Sequence, residues 1–170
     1  MPEGGLTLIL GGARSGKSRH AEALVSEFPA PWRYIATAQA YDDEMRERID
    51  EHRARRDDRW VTFDAPLALS DALSSMPVGA PVLVDCLTLW LSNQMLAEQD
   101  VEAETNSLLE VLNNRRSQCF VVSNEVGLGI VPDNALARRF RDAQGRLNQQ
   151  VAAIADSVIF MVAGLPMKVK

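Results

Sequence analysis

The chain has 170 residues, 46% of them apolar and 24% charged, with a formal net charge of −5. That length suits one domain, residues 1–170, able to bury a sizeable core, and that charge excludes a general nucleic-acid partner, whose phosphates would be repelled on average. The first apolar run, Leu6 to Leu10, is too short for a signal-peptide core and no later run reaches membrane-spanning length, so the expectation is a cytoplasmic protein.

Leu6-Thr-Leu-Ile-Leu10 reads as a buried strand stopped by Gly11-Gly12. A helix is expected from about Lys17 to Glu27, closed by the region of Pro29 and Pro31. Arg33 to Ala36 is a short strand candidate. Asp42 or Asp43 can cap a helix running to about Arg56, with Met45, Ile49 and arginine stems at helical spacing. Asp64-Ala-Pro66 leads into a helix over Leu67 to Ser75, and Pro81-Val-Leu-Val-Asp85 is a second buried strand.

Residues 87 to 116 read as mostly helical, with an acidic loop near Glu98 to Glu104. Cys119 to Ser123 is a third strand. Leu136, Phe140, Ala143, Leu147, Val151 and Ile154 form a helical stripe, and Ser157 to Val162 a last strand. Cys86 and Cys119, both in apolar surroundings, read as buried thiols rather than a disulfide. Apolar strands alternating with helices predict an α/β fold with a mainly parallel sheet covered on both faces. Ligands of such sheets bind beyond the carboxyl ends of the strands, so residues just after each strand are the candidates for chemistry.

Gly11-Gly12-Ala13-Arg14-Ser15-Gly16-Lys17-Ser18 satisfies G-x-x-x-x-G-K-[ST] between a strand and a helix, the setting a P-loop requires. Its glycines let backbone N–H groups turn inward on phosphate. Lys17 supplies a point charge for the outer phosphates, the Ser18 hydroxyl suits Mg²⁺, and the helix adds its positive dipole end. A second acid is expected to hold or orient the metal from a neighbouring strand end, and Asp85 stands in that place. Glu125, in Ser123-Asn-Glu-Val-Gly127, is a base, a metal ligand or a loop-fixing acid, and residue type does not choose among these.

The chain has two histidines. His20 follows the P-loop and reads as structural or solvated. His52 has Arg48 at i−4, Arg55 at i+3 and Arg56 at i+4 on one helix face. Cations there disfavour imidazolium and leave a nucleophilic ring nitrogen, while the guanidinium groups can grip phosphate oxygens. The alternative is a solvated basic face offset by Asp50, Glu51, Asp57 and Asp58.

Taken together, these stretches resemble the bifunctional adenosylcobinamide kinase/adenosylcobinamide-phosphate guanylyltransferase family. The matching residues are the P-loop through Arg19, Tyr34-Ile-Ala-Thr-Ala-Gln39, Asp43-Glu-Met45, Arg48-Ile49, His52, Arg56 and Trp60. Asn124 to Pro132, Phe140-Arg-Asp142 and Gly145 to Gln149 complete the set, in the family's order along nearly the whole chain. The resemblance implies a RecA-like P-loop NTPase fold of three layers, a homotrimer, and two reactions. ATP or GTP phosphorylates adenosylcobinamide; GTP then passes GMP, through a GMP–His52 phosphoramidate, to adenosylcobinamide phosphate, giving adenosyl-GDP-cobinamide. It further implies that Thr37 and Ala38 lie against the nucleotide, that Arg55 and Arg56 contact phosphate, and that Asp64 and Asp85 touch the nucleotide or its metal. One departure is Asp57, where the family commonly has proline. The competing readings are a cobinamide kinase without nucleotidyl transfer and a regulatory GTP-binding switch; the chain lacks the N-K-x-D guanine reader usual in such switches.

Overall fold

The computed structural model describes residues 4–170, and its elements alternate as the apolar pattern predicts. In chain order they are β1 (Leu6–Gly11), α1 (Lys17–Val25), β2 (Trp32–Ala36), α2 (Asp43–Ala54), β3 (Trp60–Asp64), α3 (Leu69–Ser74) and β4 (Val82–Asp85). There follow α4 (Leu87–Leu96), α5 (Val101–Asn113), β5 (Cys119–Asn124), α6 (Ala135–Ile154), β6 (Ser157–Val162) and β7 (Leu165–Lys168). The strands form one sheet in the order β3-β2-β4-β5-β1-β6-β7. All neighbours are parallel except the antiparallel pair β6 and β7.

Alternation of side chains along each strand divides the core in two. Leu6, Leu8, Val82, Val84 and Val121 face one way, against Trp90, Leu91, Leu108, Leu112 and Leu147 of α4, α5 and α6. Ile9, Leu83, Phe120 and Val122 face the other way, against Ala21 and Val25 of α1. Both faces are therefore buried, which is why these strands read as continuous apolar runs rather than alternating ones. The two cysteines are free and buried, and burial pushes each thiol up to about 12.

Four expectations are corrected. The acidic loop is shorter than expected, because Asp100 caps α5 by accepting from the Ala103 N–H at 3.0 Å. Glu102 and Glu104 then fall in the first helical turn, where the helix dipole favours them. β3 and β7 were not foreseen: β3 lies at the sheet's edge with Val61 and Thr62 exposed, β7 is exposed throughout, and neither carries the buried apolar run of a central strand. The fourth concerns sheet order. β4, which ends in Asp85, is separated from the P-loop strand β1 by β5, so the acid stands two strands away and not on the adjacent one.

Candidate active site

The P-loop is set by its backbone. Gly16 sits at φ +90°, a conformation that side chains rarely adopt, and a Cβ on Gly11 would meet Ser15 Oγ at 2.5 Å. The N-terminus of α1 carries no side-chain cap and no acidic residue in its first turn, which leaves its N–H groups for an anion. Lys17 is buried; its ammonium donates to the Gly12 carbonyl and lies 3.4 Å from Ser15 Oγ. Burial lowers its pKa, the charge of Asp85 opposes that shift, and Arg48 adds to it. Lys17, Asp85 and Arg48 thus act within one local field.

α2 is built differently. Asp42 caps it, accepting from the Met45 N–H at 2.7 Å, and none of its side chains is fully buried. Met45, Ile49, His52 and, just past the helix, Arg56 are half-buried and follow one another at helical spacing, which defines the face turned toward the sheet. His52 reaches Asp85 across that gap, Nδ1 to Oδ2, at 3.8 Å. Arg55 Nη2 stands 3.4 Å from the same ring nitrogen and pairs with Glu22 of α1 at 3.3 Å. Arg56 Nη1 donates to the His52 carbonyl at 2.9 Å.

Burial is the main force lowering the His52 pKa, and Arg55, Arg56 and Arg48 reinforce it against the opposing charge of Asp85. The neutral ring expected from the arginines is therefore favoured first by loss of water and second by charge. Nδ1 faces both Asp85 and Arg55, and among the described residues no partner meets Nε2; in the tautomer whose proton sits on Nδ1, toward the Asp85 carboxylate, Nε2 carries the lone pair.

The other candidates are distributed around this centre. Asp64 ends β3, is exposed, and pairs with Arg53 at 3.5 Å. Ala36 is in register with Asp64 on one side and Asp85 on the other, so the two acids are separated by two strand spacings, about 9–10 Å of backbone. Thr37 is fully buried, its hydroxyl donating to the Cys86 carbonyl at 2.6 Å and accepting from the Cys86 N–H at 2.9 Å. It ties the ends of β2 and β4 together, and Ala38 follows half-buried. Glu125 accepts from the Gly127 N–H at 2.5 Å, and its own N–H donates to the Gly11 carbonyl at 2.9 Å, so in this conformation it fixes its loop against the P-loop.

Sequence reasoning assigned no role to Tyr34, quoted only within the resembling stretch, nor to Glu22 or Arg53. Each gains its meaning from a partner far along the chain. The local signal for Tyr34 is an aromatic side chain bearing a hydroxyl at a buried position of β2, between Arg33 and Ile35.

A model of the family described as cobinamide kinase / cobinamide phosphate guanyltransferase matches residues 7–169. The chain is 52% identical over 166 residues to the bifunctional adenosylcobalamin biosynthesis protein CobP of Pseudomonas aeruginosa, covering 96% of each chain. It is 39% identical over 181 residues to the bifunctional adenosylcobalamin biosynthesis protein CobU of Escherichia coli, covering 97% of this chain and 99% of that one. Among solved structures, an ATPase from the type III secretion system of pathogenic bacteria superposes with a TM-score of 0.58 at 12% identity. That match covers 96% of this chain and 56% of the other and shows the fold alone, in agreement with the expected RecA-like P-loop architecture.

Proposed function

The chain belongs to the cobinamide kinase / cobinamide phosphate guanyltransferase family, and we propose that residues 1–170 form one domain in which the P-loop serves both reactions while His52 carries GMP between them. The activities are those of a bifunctional enzyme of adenosylcobalamin biosynthesis, and the kinase-only and regulatory readings are disfavoured by relatives named for both functions. The observation that carries the assignment of His52 is its place. A half-buried imidazole, held off protonation, faces Asp85 at the same end of the sheet as the P-loop, with no partner at Nε2 among the described residues.

In the kinase step, the P-loop amides and Lys17 hold the triphosphate of ATP or GTP, and its γ-phosphate passes to the hydroxyl of adenosylcobinamide. In the second step, His52 Nε2 attacks the α-phosphorus of GTP. The N–P bond forms as the bond to pyrophosphate breaks, and Lys17, Arg55 and Arg56 offset the charge on the phosphate oxygens. An oxygen of adenosylcobinamide phosphate then attacks the same phosphorus, His52 leaves, and adenosyl-GDP-cobinamide forms. Cys86, also beside this centre, stays a protonated thiol and does not compete as nucleophile.

Ser18 and Asp85 are hard oxygen donors suited to Mg²⁺, which takes a few protein oxygens and completes its shell with phosphates and water. When bound, it would neutralise phosphate charge. Asp64, Thr37 and Ala38 border the nucleotide side of the sheet in this reading. A homotrimer is supported by apolar side chains exposed at Leu128, Ile130 and Val131 and along β7, and light scattering tests it. A cytoplasmic location fits; no helix among the described residues is long and apolar enough to cross a membrane.

The test uses Mg²⁺ and GTP labelled at the α-phosphate, with His52→Ala alongside. Label that survives denaturation, is labile in acid and stable in alkali, and is missing from His52→Ala is the expected result. Wild-type protein that takes no label yet phosphorylates adenosylcobinamide with ATP would remove the role proposed for His52.

A further inference from the structure

One aromatic side chain touches both groups that define where His52 sits. Tyr34 lies in the middle of β2, 3% exposed, and its hydroxyl donates to Asp85 Oδ2 at 2.9 Å. That oxygen is the one facing His52 Nδ1 at 3.8 Å. The face of the Tyr34 ring carries the Arg56 guanidinium, whose Cζ is 3.7 Å from the ring centroid, and Arg56 in turn donates to the His52 carbonyl at 2.9 Å. Trp60 meets the ring edge-on at 6.0 Å and holds it from the side.

The need for such an anchor follows from the build of α2. With no fully buried side chain, apolar packing does not fix the orientation of its last turn. The Arg53–Asp64 pair joins two exposed groups at 3.5 Å, the kind of contact that orders little in water. The Arg56–Tyr34 stack is short, half-buried and directional, and the hydrogen bond from Arg56 transmits it to the carbonyl of His52 itself.

We propose that Tyr34 is a positioning residue for guanylyl transfer: its hydroxyl holds the Asp85 carboxylate toward His52 Nδ1, and its ring, through Arg56, sets the last turn of α2 so that Nε2 is presented for attack. The proposal rests on His52 being the nucleophile. Tyr34 touches no reacting atom and works through two neighbours by two separable features. Phenylalanine keeps the ring and loses the hydroxyl; leucine loses both.

The experiment measures the single-turnover rate of label transfer from α-labelled GTP to the protein, together with equilibrium affinity for GTP in the absence of Mg²⁺. Tyr34→Phe is expected to slow labelling about tenfold, as loss of one hydrogen bond to a charged group implies. Tyr34→Leu should slow it about a hundredfold. Affinity should change less than about threefold in both, because the P-loop contacts remain. Asp85→Asn combined with Tyr34→Phe should be no slower than Asp85→Asn alone, since the hydroxyl acts through that carboxylate. Labelling of Tyr34→Phe at the wild-type rate, a parallel fall in rate and affinity, or additive losses in the double variant would each overturn the role of Tyr34. Label retained by His52→Ala would overturn the nucleophile and the positioning role together, and is distinguishable from all three.

Discussion

The P-loop and α2 meet at one site but are held by opposite means. The P-loop connects β1, whose Leu6, Leu8 and Ile9 are fully buried, to α1, which buries Ala21 and Val25 against the sheet. The loop rides on the buried core of the sheet. α2 buries no side chain fully and is tied down by the Arg53–Asp64 and Arg55–Glu22 ion pairs, the contact of neutral His52 with Asp85, one cation–π stack and hydrogen bonds at its C-terminal end. The difference teaches that the phosphate cradle is preorganised by the core, whereas His52, the proposed nucleophile, is placed by polar contacts that can be remade. A single site required to act at a γ-phosphate and then at an α-phosphate is served by a fixed part and an adjustable one.

The largest test of this contrast is Lys17→Ala. Both phosphorylation and guanylyl transfer should fall by about a thousandfold or more, since both use the same cradle. Steady-state assays of the two reactions check it, and loss confined to one of them would break the idea of a shared fixed part.

The next test concerns stability. Leu8→Ala should destabilise the protein by about 2–5 kcal/mol in denaturant titrations, the usual range for deleting a fully buried leucine side chain. Ile49→Ala, on the half-buried face of α2, should change it by less than about 1 kcal/mol. Equal effects would mean that α2 is part of the core after all.

Hydrogen exchange sharpens the comparison further. Amides of α2 should exchange at least about tenfold faster than those of α1 and β5, because local opening of α2, none of whose side chains is fully buried, exposes little apolar surface. Raising ionic strength should widen that gap, since exposed ion pairs are screened.

The smallest effect is on His52 itself. Burial and three arginines disfavour its imidazolium, so an NMR titration of the free protein should place its midpoint below the ordinary 6.5. The ring is then neutral at physiological pH and becomes protonated only as pH falls through that lowered value. Asp85→Asn removes the one negative charge that opposes the shift and should move the midpoint lower still; an upward move would contradict the 3.8 Å contact.

Much of this molecule was legible in its sequence. The P-loop was readable because its chemistry is local: glycines, a lysine and a hydroxyl within eight residues, after a strand that must be buried. The central strands were readable because burial on both faces leaves a continuous apolar run, and α2 because Asp42 caps it and its half-buried face repeats at helical spacing. His52 stood out through its arginines at i−4, i+3 and i+4, which a helix alone brings to one face. Edge strands β3 and β7 were not readable, because a strand paired on one side and open to water needs no apolar run.

What only the tertiary structure decided is which distant residues become neighbours. Tyr34, His52 and Asp85 are separated by 18 and 33 positions in the chain. They meet because β2 pairs with β4 in the register that sets Ala36 beside Asp85, and because α2 folds back over those strand ends. Strand order and register are chosen by the total burial of the sheet, a sum over the whole chain that no local spacing contains. The types of residue proposed to bind phosphate and attack it were therefore determined by the sequence, while their meeting at one point was decided by the fold.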